Sequence, residues 1–486
     1  MMRVWSDGKH AGVLDRLLPR GSTFAYDPVA PLQRAVSVTM PVRVPTYDLK
    51  FGLLPIFEMN LPEGALRERL TRRFAKATGT FDDFDLLQVL GRTQIGRIRY
   101  SALDQDLSEA VPFQSIDQIL RARRDGELFD YLMEEFAAHS GLSGVQPKVM
   151  IRAREPAARE PGVRQSPSIL SATHIVKLWD EEEYPELAAN EYFCLQAAKS
   201  VGLNVPAFEL SHDGGALIVE RFDLSRDRYI GFEDFCVLNA LGTADKYKGG
   251  YETRVFRRMR EYASAPVSSK SLEDLFRLFL LNCAIRNGDA HLKNFGITYA
   301  DVDGMIKNAP VYDIVTTWAY VPNDPMALTL DGSTRWPDRK ALIRLGQTRS
   351  DLSVKQIEQH MESTADSLSS VAPQLKSYFA SKEVEVGSRM LTAWEAGIRD
   401  SLGEIRNLHQ VELPIKASSS PRLAKSDGLL LEALRQKGGK LTGTLKSIAE
   451  SLKIPPSTMG ASVKRLADKG FVSRGPKSIT LLPREV

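Results

Sequence analysis

The sequence predicts an α+β protein of two lobes, preceded by a small mixed module and followed by a compact, mostly helical tail. Three observations carry that reading. Strand-like runs crowd the chain up to Glu220, whereas from Phe232 onward apolar residues recur at helical spacing. The 486 residues are enough for two or three domains, each with its own core. Charge is uneven: 64 Lys/Arg against 61 Asp/Glu leave only +3 overall, yet residues 421–486 carry 13 Lys/Arg against 5 Asp/Glu, a local +8. A basic tail on a mildly acidic body suits a segment that faces nucleic acid. The expected divisions are 1–105, 106–222, 223–412, a linker over 413–426, and 427–486.

Composition excludes several classes. The apolar and charged fractions, 43% and 26%, are those of an ordinary globular chain. Cys194, Cys236 and Cys283 lie in apolar segments at no metal-ligand spacing, so they read as reduced core residues. No apolar run approaches the roughly 18 residues that span a bilayer, and the N-terminus shows no signal-peptide core. The expectation is a soluble, cytoplasmic protein without a membrane partner.

Taken in order, Met2 to Leu14 is a hairpin about Asp7-Gly8. A strand is expected over Ala35 to Met40. Asn60-Leu-Pro62-Glu63-Gly64 opens a helix, with Pro in the first turn and an acid at the positive end. Phe81 to Leu90 is a second helix, stopped by Gly91. No chemistry is legible in this module, and scaffolding is its default role. Ser140-Gly-Leu-Ser143-Gly144-Val145-Gln146-Pro-Lys148 is a small-residue loop running into a strand. It is not a Walker loop, but glycine would let its N–H groups approach phosphates; an ordinary hairpin turn is the simpler alternative. The Pro-containing stretch Arg152 to Ser171 reads as a mobile loop.

Thr173 to Trp179 is a strand with Lys177 inside an apolar run, a residue type rarely buried without a partner. It is either an edge lysine with its head in water or one end of an ion pair. The helix from Pro185 to Val201 offers Glu191 as that partner. Strands follow at Ala207–Ser211 and Ala216–Glu220, joined by the turn His212-Asp-Gly-Gly215. Helical segments then include 353–379 and 383–410.

The chemistry concentrates in Arg286-Asn-Gly288-Asp289-Ala-His291-Leu-Lys293-Asn294, after an apolar helix ending near Ile285 that Gly288 is expected to break. Asp313 follows in Tyr312-Asp313-Ile314. An Asp, an Asn five residues on, and a later Asp suit phosphoryl transfer: the first faces the attacking hydroxyl, and the others offer hard oxygens to Mg²⁺. A polar turn with two capping residues is the plainer alternative. A lysine on a strand, paired with a helix glutamate, completes the apparatus that aims a cation at nucleotide phosphates.

With those parts assembled, the chain resembles the HipA family of bacterial serine/threonine kinases over residues 1 to about 410. The resemblance rests on Asn60–Gly64, Ser143-Gly-Val-Gln-Pro-Lys148, His174-Ile-Val-Lys177, Asn190-Glu191-Tyr192 and Gly202-Leu-Asn-Val-Pro206. It continues through Val219-Glu-Arg-Phe-Asp223, Gly288 to Phe295, and Tyr312-Asp-Ile314. It implies a bilobal protein-kinase-like fold with an N-terminal subdomain, using ATP and Mg²⁺. Asp289 would be the catalytic acid/base, and Asn294 and Asp313 the metal ligands. Ser143, Gly144, Val145, Gln146, Lys148, Lys177, Glu220, Phe222, Asp223, His291 and Lys293 would bind ATP. Family members are toxins that phosphorylate aminoacyl-tRNA synthetases, which implies such a protein substrate and a separate antitoxin. The best-known family loop carries a serine three positions before its central glycine, which becomes phosphorylated and ejects the loop. That position is Gly141 here, so Ser143, and after it Ser140, are the candidate hydroxyls; small residues that merely pack the loop are the alternative.

Leu413 to Pro421 is a linker by composition. Beyond it, helices are expected over Asp427–Gln436, Thr442–Leu452 and Ser457–Lys469, then a ribbon with a basic turn. This resembles a winged helix-turn-helix. The third helix would present Ser457 and Thr458 to bases of double-stranded DNA, and Lys464, Arg465, Arg474 and Lys477 would meet phosphates. A winged helix used for protein contacts is the alternative. The expected whole is a HipA-like kinase fused to a DNA-binding module. The competing reading is a transcriptional regulator whose kinase-like body binds nucleotide and transfers nothing.

Overall fold

The computed structural model describes all residues except 79–80, 108–110, 123–126, 145, 154–170, 179–182, 226–227, 383, 411–425, 427–428, 431–432, 435–436, 438–439, 469–471, 476–477 and 482–486. Val145, most of the expected loop over 152–171, and Lys477 therefore lie outside the described residues. The chain divides into two units, Met1–Val411 and Glu412–Val486.

The first unit opens on an antiparallel sheet of β1 (Met2–Ser6), β2 (Lys9–Leu17), β3 (Gly21–Tyr26), β4 (Tyr47–Leu49) and β5 (Ile98–Ala102), in the order β4-β3-β2-β1-β5. The β1–β2 turn places both Asp7 (φ 49°) and Gly8 (φ 72°) in the left-handed region. That is the type I′ geometry whose twist matches the strands. The expected strand over Ala35–Met40 does not form. Val36 N–H is taken by the Tyr26 hydroxyl (2.9 Å) and Val38 N–H by Glu233 Oε1 (2.8 Å), so side chains satisfy amides that a strand would have paired. The two longer helices of this part are α1 (Gly64–Thr78) and α2 (Asp83–Leu90). A capping box of Asp82 and Asp85 starts α2.

After α3 (Glu127–Phe136) comes a four-stranded antiparallel sheet of β6 (Lys148–Ile151), β7 (His174–Lys177), β8 (Phe208–Leu210) and β9 (Leu217–Glu220), in the order β6-β7-β9-β8. It is crossed by α4 (Leu187–Ser200) between β7 and β8. One hydrophobic core joins both sheets: Val4, Phe57, Leu87 and Tyr100 pack in the same cluster as Phe136, Val149, Val176 and Ile218.

A larger second core organises the helical half. Its elements are β10 (Gly231–Asp234), α5 (Ser268–Ala284), β11 (Gly296–Tyr299), β12 (Lys307–Asn308), α6 (Arg339–Ser350), α7 (Val354–Phe379) and α8 (Val386–Gly397). Helix α5 ends at Ala284, earlier than the glycine predicted to stop it. The reversal is made by Arg286 (φ 56°), whose guanidinium lies 5.0 Å from the ring centroids of both Trp318 and Trp336. Gly288 has a different role, because a Cβ there would come within 2.0 Å of Asp324 Oδ2. Cys194, Cys236 and Cys283 are buried and unbridged, as composition suggested.

The second unit contains a helical segment whose Leu430 and Leu434 are buried, β13 (Lys440–Thr442), α9 (Leu445–Ser451), α10 (Pro456–Asp468), β14 (Val472–Gly475) and β15 (Ser478–Leu481). The strands form one antiparallel sheet in the order β13-β15-β14. The helix expected from Thr442 starts later, capped by Thr444, because Lys440–Thr442 pairs with Ser478–Thr480 instead. Three residues are too few for a period-2 signal to show. Among all described residues, no helix is long and apolar enough to cross a membrane.

Candidate active site

The β6–β7 register sets Lys148 directly opposite Lys177. Directly paired residues of an antiparallel ladder project to the same face, so the register delivers two ammonium groups to one place. Lys177 Nζ lies 2.5 Å from Glu191 Oε1 of α4 and donates a short hydrogen bond to Asp313 Oδ1. Lys148 Nζ stands 3.6 Å from Asp313 Oδ2. Both lysines and Glu191 are buried. Burial opposes the charge of the Asp313 carboxyl, but Lys148 and Lys177 outweigh it and hold the group well below the usual carboxylate range. Burial also dominates at Lys148 and lowers it, and at Glu191 and raises it, whereas Lys177, with two acids in contact, is raised despite burial. Asp313 takes a left-handed backbone (φ 48°). Such a conformation is uncommon for a non-glycine residue and clusters at functional sites.

Asp289 lies in the loop after α5, with its carboxylate accepting from the Tyr247 hydroxyl at 2.7 Å. Burial raises its pKa above the ordinary Asp value, against the Tyr247 hydrogen bond and the nearby Lys246. Asn294 donates from Nδ2 to the Asp313 carbonyl (3.0 Å), which orients its amide. Its Oδ1 is buried with no hydrogen-bond partner among the described residues, as is His291 Nδ1. Buried polar atoms are nearly always partnered, so an oxygen left open next to Asp313 in the chain fold fits a hard cation. No cluster of three His, Cys, Asp or Glu gathers among the described residues. Two oxygen donors suit Mg²⁺, which keeps waters and shares phosphates with the protein.

Around this centre the loop residues Ser143, Gly144 and Gln146 are half-buried, and Gly144 has φ 107°. That backbone conformation is one side-chain-bearing residues rarely adopt, and a Cβ there would also meet Lys148 Nζ at 2.7 Å, so glycine suits this position. Gln146 donates to the Leu178 carbonyl at 3.1 Å. At the inter-lobe crossing, Phe222 stacks on Tyr312 (5.9 Å, 29°) and meets Phe232 edge-on. Glu220 ends β9 directly before this crossing.

The remaining expected site residues differ in what they touch. Asp223 is fully buried and bound to Arg221 (2.6 Å) and to the Gly96 N–H (2.7 Å), so its carboxylate braces the crossing. Lys293 is spent on Asp234 (2.9 Å) and the Met59 carbonyl (2.8 Å). His291 packs edge-on against Tyr247, and burial lowers its pKa to about 3, so it is neutral near pH 7. Ser140 is also fully buried; its hydroxyl donates to the Phe136 carbonyl (2.7 Å) and accepts from Met150 N–H (2.8 Å), which removes it as a reactive hydroxyl in this fold. Of the two loop serines, Ser143 is the more accessible.

Three residues enter the site that sequence reasoning passed over: Glu63, Lys246 and Tyr247. Glu63 does not support α1 as expected. Its Oε1 accepts from Gly144 N–H (3.2 Å) and its Oε2 from Lys246 Nζ (2.8 Å). Glu63 stood inside the Asn60–Gly64 motif, the one local signal available. Lys246 and Tyr247 sit in a polar stretch with no periodicity to mark them.

In the second unit, Thr458 and Lys464 are exposed on α10, as are Ala461 and Ala467. Ser457 and Arg465 belong to α10 and Arg474 to β14, but their side chains lie outside the described residues.

A strand lysine gripped by a helix glutamate, an Asp–Asn–Asp set, and lobes joined after β9 together define a protein-kinase-like fold. Residues 2–101 match the HipA N-terminal domain and residues 140–372 the HipA-like C-terminal domain; the chain belongs to the HipA family. It is 28% identical over 355 residues to "Putative kinase Y4mE" of Sinorhizobium fredii, across 67% of this chain and 79% of that protein. It is 27% identical over 295 residues to the serine/threonine-protein kinase toxin HipA of Shewanella oneidensis, across 55% of this chain and 64% of the toxin. Among solved structures, a chain from the Shewanella oneidensis HipA, HipB and operator DNA complex superposes with a TM-score of 0.56 at 19% identity, covering 85% of this chain and 99% of that one. That likeness is one of fold.

Proposed function

We propose that the chain is an ATP- and Mg²⁺-dependent serine/threonine protein kinase of the HipA toxin type, acting in the cytoplasm. The observation that carries this reading is Lys177 held between Glu191 and Asp313, with the Asn294 amide tied to the same Asp313. Lys148 and Lys177 would pair with nucleotide phosphates. Asn294 Oδ1 and the Asp313 carboxylate would hold Mg²⁺, which supplies neutralisation of phosphate charge. Phe222, Phe232 and Tyr312 offer apolar ring faces to the base, with Glu220 beside them. Asp289 would orient the substrate hydroxyl and take its proton as the oxygen bonds to the γ-phosphorus and the bond to the ADP oxygen breaks. A nucleotide sensor that transfers nothing would have no need of a half-buried carboxylate oriented by Tyr247 at position 289.

By family resemblance the substrate is an aminoacyl-tRNA synthetase. Incubating the full-length protein with labelled ATP and cell lysate should label a translation protein on Ser or Thr, and peptide mapping should place a second label on Ser143. A phosphate there would set close to two negative charges where those of ATP must sit and shut the enzyme off. No transfer to any protein would overturn the kinase reading; an active enzyme with an unmodified loop would reject self-inactivation.

The second unit supports a DNA-binding role beside the kinase. Its order of helical segment, strand, two helices and a two-stranded ribbon would suit a winged helix, and α10 exposes Thr458 and Lys464. The solved relative is a complex with HipB and operator DNA; a comparable antitoxin partner, and an operator bound by this chain's own tail, belong to the proposal. In gel shifts with the upstream DNA, the full chain should bind with affinity that falls steeply with salt. A chain ending at Val411 should not. Equal binding by both would move the DNA site off the tail.

A further inference from the structure

Glu63 belongs to the segment that matches the HipA N-terminal domain, yet its carboxylate lies in the candidate active site. One oxygen takes the N–H of Gly144 in the phosphate loop and the other takes the Lys246 ammonium. A phosphate oxygen would accept the same two donors, since both anions are bound by charge-assisted hydrogen bonds from ammonium and backbone N–H groups.

The position of Lys246 is tied to the catalytic loop twice. Its carbonyl accepts the Leu292 N–H at 3.0 Å, and the next residue, Tyr247, donates to Asp289. Lys246 is buried, and its charge acts on the Asp289 carboxyl. The Glu63 carboxylate therefore bridges the phosphate loop to Lys246, on the segment that holds the turn carrying the base. A transferred group must occupy that interval, between the loop that holds the nucleotide and the carboxylate that faces the acceptor.

We propose that Lys246 and the Gly144 N–H form the seat of the transferred phosphoryl group, and that Glu63 is a built-in competing anion placed there by the N-terminal domain. The inference rests on the kinase reading above and adds a third phosphate cation, from the helical lobe, to Lys148 and Lys177. It gives the N-terminal domain a direct influence on the site: ATP must displace Glu63, whereas ADP, lacking the terminal phosphate, need not. A plain strut between domains would make the same two contacts but would not distinguish the nucleotides.

Titration of the full-length protein with a non-hydrolysable ATP analogue and with ADP, both with Mg²⁺, separates the cases. Glu63→Gln keeps the shape but drops the charge and one of the two acceptor oxygens. It should tighten the ATP analogue by about tenfold, an ordinary value for one charge-assisted contact, and change ADP by less than about twofold. Lys246→Met should weaken the analogue by about tenfold or more, spare ADP, and erase the effect of Glu63→Gln in the double variant. Equal tightening of both nucleotides by Glu63→Gln would show a general charge effect and overturn the proposal, as would no change or weakening. Equal loss of both nucleotides in Lys246→Met would also overturn it, by making Lys246 structural. A wild-type protein that binds neither nucleotide would overturn the kinase reading itself, an outcome distinct from these because ADP binding is lost from the start.

Discussion

Asp289→Asn should lower phosphoryl transfer by about 10²–10⁴-fold, the usual contribution of a positioned general base, while nucleotide affinity stays within about twofold. The amide keeps the size of the side chain and can still meet the Tyr247 hydroxyl, so the loop has no reason to move. What is lost is an acceptor for the hydroxyl proton. The pH dependence gives an independent check. Burial raises the Asp289 carboxyl above its ordinary value, and protonation removes the base. The rate of the wild-type enzyme should therefore fall on the acid side, with a midpoint above that of an exposed Asp. Single-turnover transfer rates and nucleotide titrations across pH would measure both effects. Wild-type rates in Asp289→Asn would remove this residue from the chemistry.

Asp313→Ala should cost both binding and stability. It deletes a proposed Mg²⁺ ligand, so ATP affinity in Mg²⁺ should drop by about 10²-fold, at the upper end of what disturbing a metal site costs. The dependence of binding on Mg²⁺ should shrink with it. The variant also strips the shared counter-charge from two buried lysines, Lys148 and Lys177. Breaking a buried pair by removing one partner costs about 3–5 kcal/mol. The Asp313 side chain is 34% exposed, and solvent screens part of that loss, leaving about 2 kcal/mol. Thermal unfolding of the first unit should move down by a few degrees. Nucleotide binding in Mg²⁺ equal to that of the wild type would show that Asp313 serves the lysines alone.

The N-terminal module shows how a sequence can reveal an element and conceal its use. The hairpin at Asp7-Gly8 and the helices after Gly64 and Asp82 were legible, because each depends on residues a few positions apart. The module nevertheless reads as scaffolding, since nothing local announces that Glu63 turns away from its helix toward Gly144, 81 residues on, and Lys246, 183 residues on. The failed strand at Ala35–Met40 has a similar origin. Its amides are satisfied by Tyr26 and by Glu233, the latter 195 residues away, and an apolar pattern cannot foresee such partners.

The active site divides along the same line. Asp289 with Asn294, the small-residue loop before Lys148, and the apolar helix leading into them are short-range features. Backbone preferences and spacing express them directly, so they can be located in the bare chain. Pairing across long separations was not. Lys177 meets Asp313 across 136 residues, and it does so because the β6–β7 register puts Lys148 and Lys177 side by side. Asp223 and Lys293 are polar types expected to line a nucleotide site. Burial required each to find an opposite charge, and the fold supplied Arg221 and Asp234 first. Ser140 likewise lost its hydroxyl to the Phe136 carbonyl and the Met150 amide. Residue type and spacing thus marked the family and its motifs, whereas the allocation of each buried charge waited on packing, because a charge removed from water binds whichever partner the folded chain brings within reach.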